Sequence, residues 1–267
     1  MGVLQALVLG VVQGLTEFLP ISSDGHLALT YRLFGQSPDL AFEVFLHAAT
    51  LIAMIVFFRH DIMEIGRSLL PEGKGTANRR IAFYIIGATA ISGVLALLGK
   101  KIVEAANTSL IAIGVGFIIT AVALIAAENV RRHVEKRRTA ELGWPRVVGI
   151  AVAQALAALP GVSRSGMTIS SGMMSGLTRE KAARFSFLIG IPLIAAASLV
   201  DAKDVISGSA PMPGFLPSAV GFVAAGIFGY LAIAGLLKFV RKHPLGVFAI
   251  YTFVLGLVTI AWGMFVK

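Results

Sequence analysis

Two stretches of this chain carry residue types that do chemistry where apolar residues surround them. The first is Gln13-Gly14-Leu15-Thr16-Glu17-Phe18-Leu19-Pro20-Ile21-Ser22-Ser23-Asp24-Gly25-His26. It offers a carboxylate at Glu17, hydroxyls at Ser22 and Ser23 and an imidazole at His26. The second is Pro160-Gly161-Val162-Ser163-Arg164-Ser165-Gly166-Met167-Thr168. It offers a guanidinium, three hydroxyls and glycines that let backbone N–H groups approach an anion. Ionisable groups at membrane depth are costly and mark functional sites. A guanidinium binds phosphate oxygens in a bidentate fork, and a helix N-terminus adds oriented N–H donors. The pair therefore suits an intramembrane site for a phosphorylated ligand.

Each residue has a bounded set of roles. Glu17, four residues after Gln13 and so on the same helix face, can act as general base, as a ligand to a divalent cation, or as the orienter of Ser23 or His26. Ser22 follows Pro20 closely and suits helix capping. Ser23 suits nucleophilic attack, or the positioning of an attacking water. His26 lies one helical turn beyond Ser23 and can move protons near neutral pH. Arg164 is the phosphate clamp, with Gly161, Ser163, Ser165 and Thr168 as further anion-binding groups and Gln13 and Ser22 beside them. His47, Glu43 and Gln154 read as packing or supporting residues.

The elements that must position these groups are transmembrane helices. The chain has 267 residues, 57% hydrophobic and 14% charged, with mean hydropathy +0.85. Soluble domains are about a quarter charged. Apolar runs of 18 residues and more call for helices rather than a barrel. With no cysteine, disulfides, thiolate metal sites and cysteine nucleophiles are excluded. The net charge of +9 reads as the cytoplasmic Lys/Arg excess of a membrane protein, not as a nucleic-acid surface. No cleavable signal peptide is expected, because Glu17 and Pro20 interrupt the first apolar run and no Lys or Arg precedes it.

Spans are predicted at 41–58, 81–98, 108–127, 184–200, 215–237 and 245–266. A polar loop is expected over 59–80 and a short loop at Lys100 and Lys101. The segments before 41 and over 147–159 are too short or too broken to span, and read as re-entrant hairpins. The order is hairpin and three spans, twice: repeat one over 1–127, a basic loop over 128–146 and repeat two over 147–267, in one integral membrane domain. Leu19-Pro20, Ser22 and Gly25 parallel Leu159-Pro160, Ser163 and Gly166. Three spans is an odd number, so the second repeat must be inverted. Of the 23 Lys and Arg, only Arg32, Lys100, Lys101, Lys203 and Lys267 fall on one face, Arg164 belonging to the site. The basic face is then cytoplasmic and both termini are outside. The two hairpin tips can meet near the midplane, where inverted-repeat membrane proteins place their sites.

The two stretches resemble the bacterial undecaprenyl-diphosphate phosphatases of the bacitracin-resistance type. That family carries a Glu-or-Gln-x-x-x-Glu motif running into Ser-Ser-x-Gly-His, and later Pro-Gly-x-Ser-Arg-Ser-x-x-Thr. Here they read Gln13…Glu17, Ser22-Ser23-Asp24-Gly25-His26 and Pro160 to Thr168. Gln13 removes one potential metal ligand, and Asp24, at the variable position, adds a carboxylate near the site. The resemblance implies hydrolysis of undecaprenyl diphosphate to undecaprenyl phosphate at the outer face of the plasma membrane, recycling of the cell-wall lipid carrier, bacitracin resistance, a divalent cation such as Mg or Ca, and a homodimer. A transporter or flippase of a phosphorylated lipid is the alternative that the repeat architecture allows. A binding-only site has little use for Glu17, Ser23 and His26 together.

Overall fold

Pro20 and Pro160 each follow a helix too short to cross a bilayer and turn the chain back. In a computed structural model, which describes residues 1–71, 75–106, 109–134, 142–205 and 214–265, α1 (Val3–Phe18) and α2 (Ser23–Leu33) form the first hairpin. The second is α7 (Trp144–Leu156) with α8 (Arg164–Met174). Ser22 and Ser163 cap the returning helices, each accepting from the N–H three residues on: Gly25 at 3.3 Å and Gly166 at 3.0 Å. Capping satisfies donors that would otherwise be orphaned away from water.

After the first hairpin come α3 (Leu40–Phe57), α4 (Arg59–Arg67), α5 (Ala77–Ala106) and α6 (Leu110–Val134). After the second come α9 (Arg179–Asp204), α10 (Phe215–Lys242) and α11 (Gly246–Phe265). Among the described residues six helices are long and apolar enough to cross a membrane: α3, the Ala77–Gly99 part of α5, the Leu110–Val130 part of α6, α9 to Lys203, α10 and α11. The protein is a multi-pass, all-helical membrane protein.

Two sequence expectations need correction. The 59–80 stretch is not all loop: α4 turns Ile62 and Ile65, three residues apart, onto the core, an amphipathic arrangement that averaging over a polar window hides. The helix α5 starts before residue 81 and continues through Lys100 and Lys101, where a loop was expected. Helices run past their apolar windows because ends outside the bilayer core need only water for their side chains. The basic segment begins as a continuation of α6; Lys136, Arg137 and Arg138 lie outside the described residues, as do Lys74 and Lys267.

The halves interlock. The first hairpin's α1 lies along α10, α7 lies along α5, α3 meets α9, and α6 meets α11. Apolar burial does not drive helices together in lipid, so close backbone approach and dispersion must. At Gly14 a side chain would stand 2.7 Å from the Ala225 carbonyl oxygen and 2.8 Å from the Gly229 nitrogen; only glycine fits. Phe18, Met54, Phe58, Leu124, Phe187 and Ile233 fill one buried cluster beneath the tips. Large exposed side chains such as Leu98 and Phe215 sit on the outer surface, as lipid-facing residues do.

Candidate active site

The two tips touch. At the end of α1, Glu17 is buried, and its Oε1 accepts from Arg164 Nη2 at 2.7 Å. Its Oε2 accepts from Ser23 Oγ at 2.7 Å and from Gln13 Nε2 at 3.1 Å. The i, i+4 spacing on α1 supplies the Gln13 contact, and the tight return at Pro20 supplies Ser23. The guanidinium keeps the buried carboxylate from being an isolated charge. Glu17 is thus an acceptor whose Oε2 shares a hydrogen bond with a hydroxyl, the arrangement that activates a serine. Gln13 Oε1 is buried without a partner among the described residues.

Ser22 has φ of 72°. It is the one described non-glycine residue with positive φ. Such strain costs about 1–3 kcal/mol and persists only where the surroundings hold it. Here the Ser22 hydroxyl accepts from Gly25 N–H and its carbonyl oxygen lies 2.6 Å from His26 Nδ1. The strained residue immediately precedes Ser23 and aims it back at Glu17.

His26 is not joined to Ser23 by a hydrogen bond. A carbonyl only accepts, so Nδ1 carries the proton toward Ser22, and Nε2, 2.8 Å from Tyr251 Oη, is the acceptor of the neutral tautomer. The ring stacks on Tyr251 and meets the edge of Phe117.

On the second tip, Gly161 adopts φ of 75° against the backbone of Ile113, a close approach that a side chain would prevent. Ser163 N–H donates to Thr120 Oγ1 at 2.9 Å. Ser165 Oγ donates across the tips to the Leu19 carbonyl at 2.9 Å and lies 3.1 Å from Ser163 Oγ. Thr168 Oγ1 bonds the Arg164 carbonyl at 2.8 Å and Ser186 Oγ at 2.5 Å. These hydroxyls are all buried and are occupied in fixing the start of α8. Arg164 projects from that start, and its Nη1 also reaches the Ser186 carbonyl at 3.5 Å.

Sequence reasoning missed Thr120, Ser186, Gly190 and Tyr251. A side chain at Gly190 on α9 would collide with the Arg164 guanidinium, so glycine there makes its room. Each is a single polar or small residue in an apolar span, without spacing that would set it apart.

The expected divalent cation needs oxygen ligands. Both Glu17 oxygens already accept from donors, and the described residues hold no group of three or more His, Asp or Glu able to bind an ion. The side chains present do not by themselves form a resident cation site.

Residues 6–258 match the family described as Bacitracin resistance protein BacA. The chain is 40% identical over 261 residues to the undecaprenyl-diphosphatase of Rubrobacter xylanophilus, covering 95% of each chain. It is 38% identical over 266 residues to undecaprenyl-diphosphatase 1 of Shouchella clausii, covering 96% of this chain and 95% of that one. With the undecaprenyl-diphosphatase of Methanosphaera stadtmanae it shares 37% over 273 residues and 97% of each chain. A match across nearly the whole length, with both tip motifs inside it, places this chain in the BacA bacitracin resistance protein family.

Proposed function

We propose that this chain is a polyprenyl-diphosphate phosphatase that converts undecaprenyl diphosphate to undecaprenyl phosphate and inorganic phosphate. This recycles the cell-wall lipid carrier and removes the diphosphate that bacitracin sequesters. The observation that carries the reading is the contact of Ser23 Oγ with Glu17 Oε2 at 2.7 Å while Arg164 holds Glu17 Oε1. A ligand-binding site alone has no need for a hydroxyl paired with a buried base.

The reaction begins when the terminal phosphate meets Arg164 and the first N–H groups of α8. Ser23 Oγ attacks the terminal phosphorus while Glu17 Oε2 takes the hydroxyl proton. The bond from that phosphorus to the bridging oxygen breaks, and undecaprenyl phosphate departs with the electron pair. That departing phosphate also takes the proton from Glu17, which is again a carboxylate. In the hydrolysis of the phosphoserine, water gives a proton to Glu17 as its oxygen bonds to phosphorus, and Glu17 passes that proton to Ser23 Oγ as the Ser23–phosphorus bond breaks and inorganic phosphate leaves. Arg164 stabilises the charge that grows on the equatorial oxygens in both steps. Gln13 holds Glu17 in place. Ser22 holds the strained turn, and Gly161, Ser163, Ser165 and Thr168 set the arginine and the second tip. His26 braces the tip, with Nδ1–H donating to the Ser22 carbonyl and Nε2 accepting from Tyr251. A Mg or Ca ion belongs to this scheme as the counterion carried in on the diphosphate.

The repeats are proposed to be inverted, with the basic loops cytoplasmic, both termini outside, the site open to the extracytoplasmic side of the plasma membrane, and the chain a homodimer. The Lys/Arg asymmetry supports the orientation.

Rapid quench with labelled substrate tests the chemistry. Wild type should trap label as phosphoserine on the peptide containing Ser23, and Ser23→Ala should lose turnover by at least about a thousandfold. Substantial turnover by Ser23→Ala without phosphoenzyme would move the attack to water.

A further inference from the structure

Asp24 stands immediately after the attacking serine, in the first turn of α2, with 69% of its side chain exposed. An open carboxylate beside Ser23 is a liability where a polyanion must dock, since like charges brought together weaken binding. Among the described residues its ion-pair partner is His47 of α3, whose Nε2 lies 3.8 Å from Asp24 Oδ1. The other ring nitrogen is committed: Nδ1 lies 2.9 Å from the Glu43 carbonyl, which can only accept. The ring is thereby oriented with Nε2 toward α2. At 3.8 Å the contact with Asp24 is longer than a hydrogen bond, an ion pair that the imidazolium form of the ring makes. The charged groups around the ring are Glu17 on α1, Asp24 on α2 and Glu43 on α3.

We infer that His47 is a positioning residue for the reaction at Ser23: it holds the Asp24 carboxylate aside and offsets its charge, so that the diphosphate can occupy the tip. This rests on the proposed site at Glu17, Ser23 and Arg164. The role acts through Asp24 and not on the phosphate, so its signature is coupling. With Asp24 present, loss of His47 exposes a negative charge to the incoming diphosphate. With that carboxylate replaced by an amide, there is nothing for His47 to offset. The step at Ser23 is untouched in either case, so the effect belongs in KM and not in kcat.

A double-mutant cycle over His47→Ala and Asp24→Asn tests this, with phosphate release from farnesyl diphosphate in detergent as the readout. His47→Ala should raise KM about tenfold, the size of one unit-charge repulsion across several ångströms of partly aqueous cleft, with kcat within about twofold of wild type. Asp24→Asn alone should leave KM within about twofold, and the double variant should match Asp24→Asn. His47→Gln, which keeps a donor and most of the volume, should fall between wild type and His47→Ala and guards against a folding defect. An equal rise in KM on losing His47 with and without Asp24→Asn would overturn the inference, as would no rise at all. The cycle is repeated as the competitive inhibition constant of methylenediphosphonate, which needs no turnover. Glu17→Gln is assayed in parallel: its full activity would refute the proposed site, while the His47–Asp24 coupling in the inhibition constant would still be read.

Discussion

Gly190→Ala tests whether the arginine clamp is set by the shape of α9. A methyl group at residue 190 would stand 2.9 Å from Arg164 Cζ and 3.4 Å from Nη2, and would overlap Nη1. Non-bonded carbons rest at about 3.5–4.0 Å, so the guanidinium must withdraw by roughly 1 Å. Its Nη2 bond to Glu17, 2.7 Å long, cannot keep its geometry through such a shift. A misplacement of about 1 Å in a positioning group can cost about a hundredfold in rate, equivalent to about 2.7 kcal/mol of barrier. The backbone opposes this effect: alanine is favoured over glycine inside a helix by about 1 kcal/mol. The variant should therefore fold at least as well from propensity alone while losing activity. The assay is phosphate release from farnesyl diphosphate in detergent, alongside a thermal unfolding curve. Activity within about threefold of wild type would show that the guanidinium position is not limiting and would refute the clamp argument.

Arg164→Lys keeps a positive charge but loses the planar fork; kcat/KM should fall by at least about a hundredfold with the fold intact, measured by phosphate release and by size-exclusion profile. Glu128→Gln should cut stability without touching chemistry. Arg179 grips that carboxylate with Nε at 2.7 Å and Nη2 at 2.6 Å, and Leu245 N–H donates to it at 2.9 Å, tying α6 to α9 and to the turn before α11. Leaving the arginine unpaired there should cost about 3 kcal/mol, seen in a denaturation midpoint, with KM unchanged. Cysteines placed singly near Lys100 and Arg137, in a chain with no native cysteine, should be labelled from outside sealed cells at the first position and not at the second; the reverse pattern would sink the proposed orientation.

Much of this protein was legible in its sequence because lipid constrains a chain more than water does. Apolar runs interrupted by Pro20 and Pro160 marked the two short hairpins, since a helix cannot continue through those turns and non-helical backbone must be shielded from lipid. Glu17 and Arg164 stood out because charge at that depth needs a partner, and here each is the other's. What the sequence left open is which groups meet. A spacing of three suggests Ser23 beside His26 on one helix face, yet Ser23 is the first residue of α2. Helical side chains lean toward the N-terminus, so its hydroxyl reaches back over the Pro20 turn to Glu17, and His26 reaches Tyr251 on α11. The hydroxyls of Ser163, Ser165 and Thr168 looked like phosphate donors by type. Ser163 Oγ is taken up by the Gly166 N–H that it caps, while Leu19 and Ser186, from distant elements, engage the hydroxyls of Ser165 and Thr168. Gly190 and Gly14 were indistinguishable from other small residues in apolar spans, because the need for a missing side chain is a property of what packs opposite. Residue type and depth fixed the kinds of chemistry available; the packing of α1, α2, α8 and α9 decided which atoms carry it.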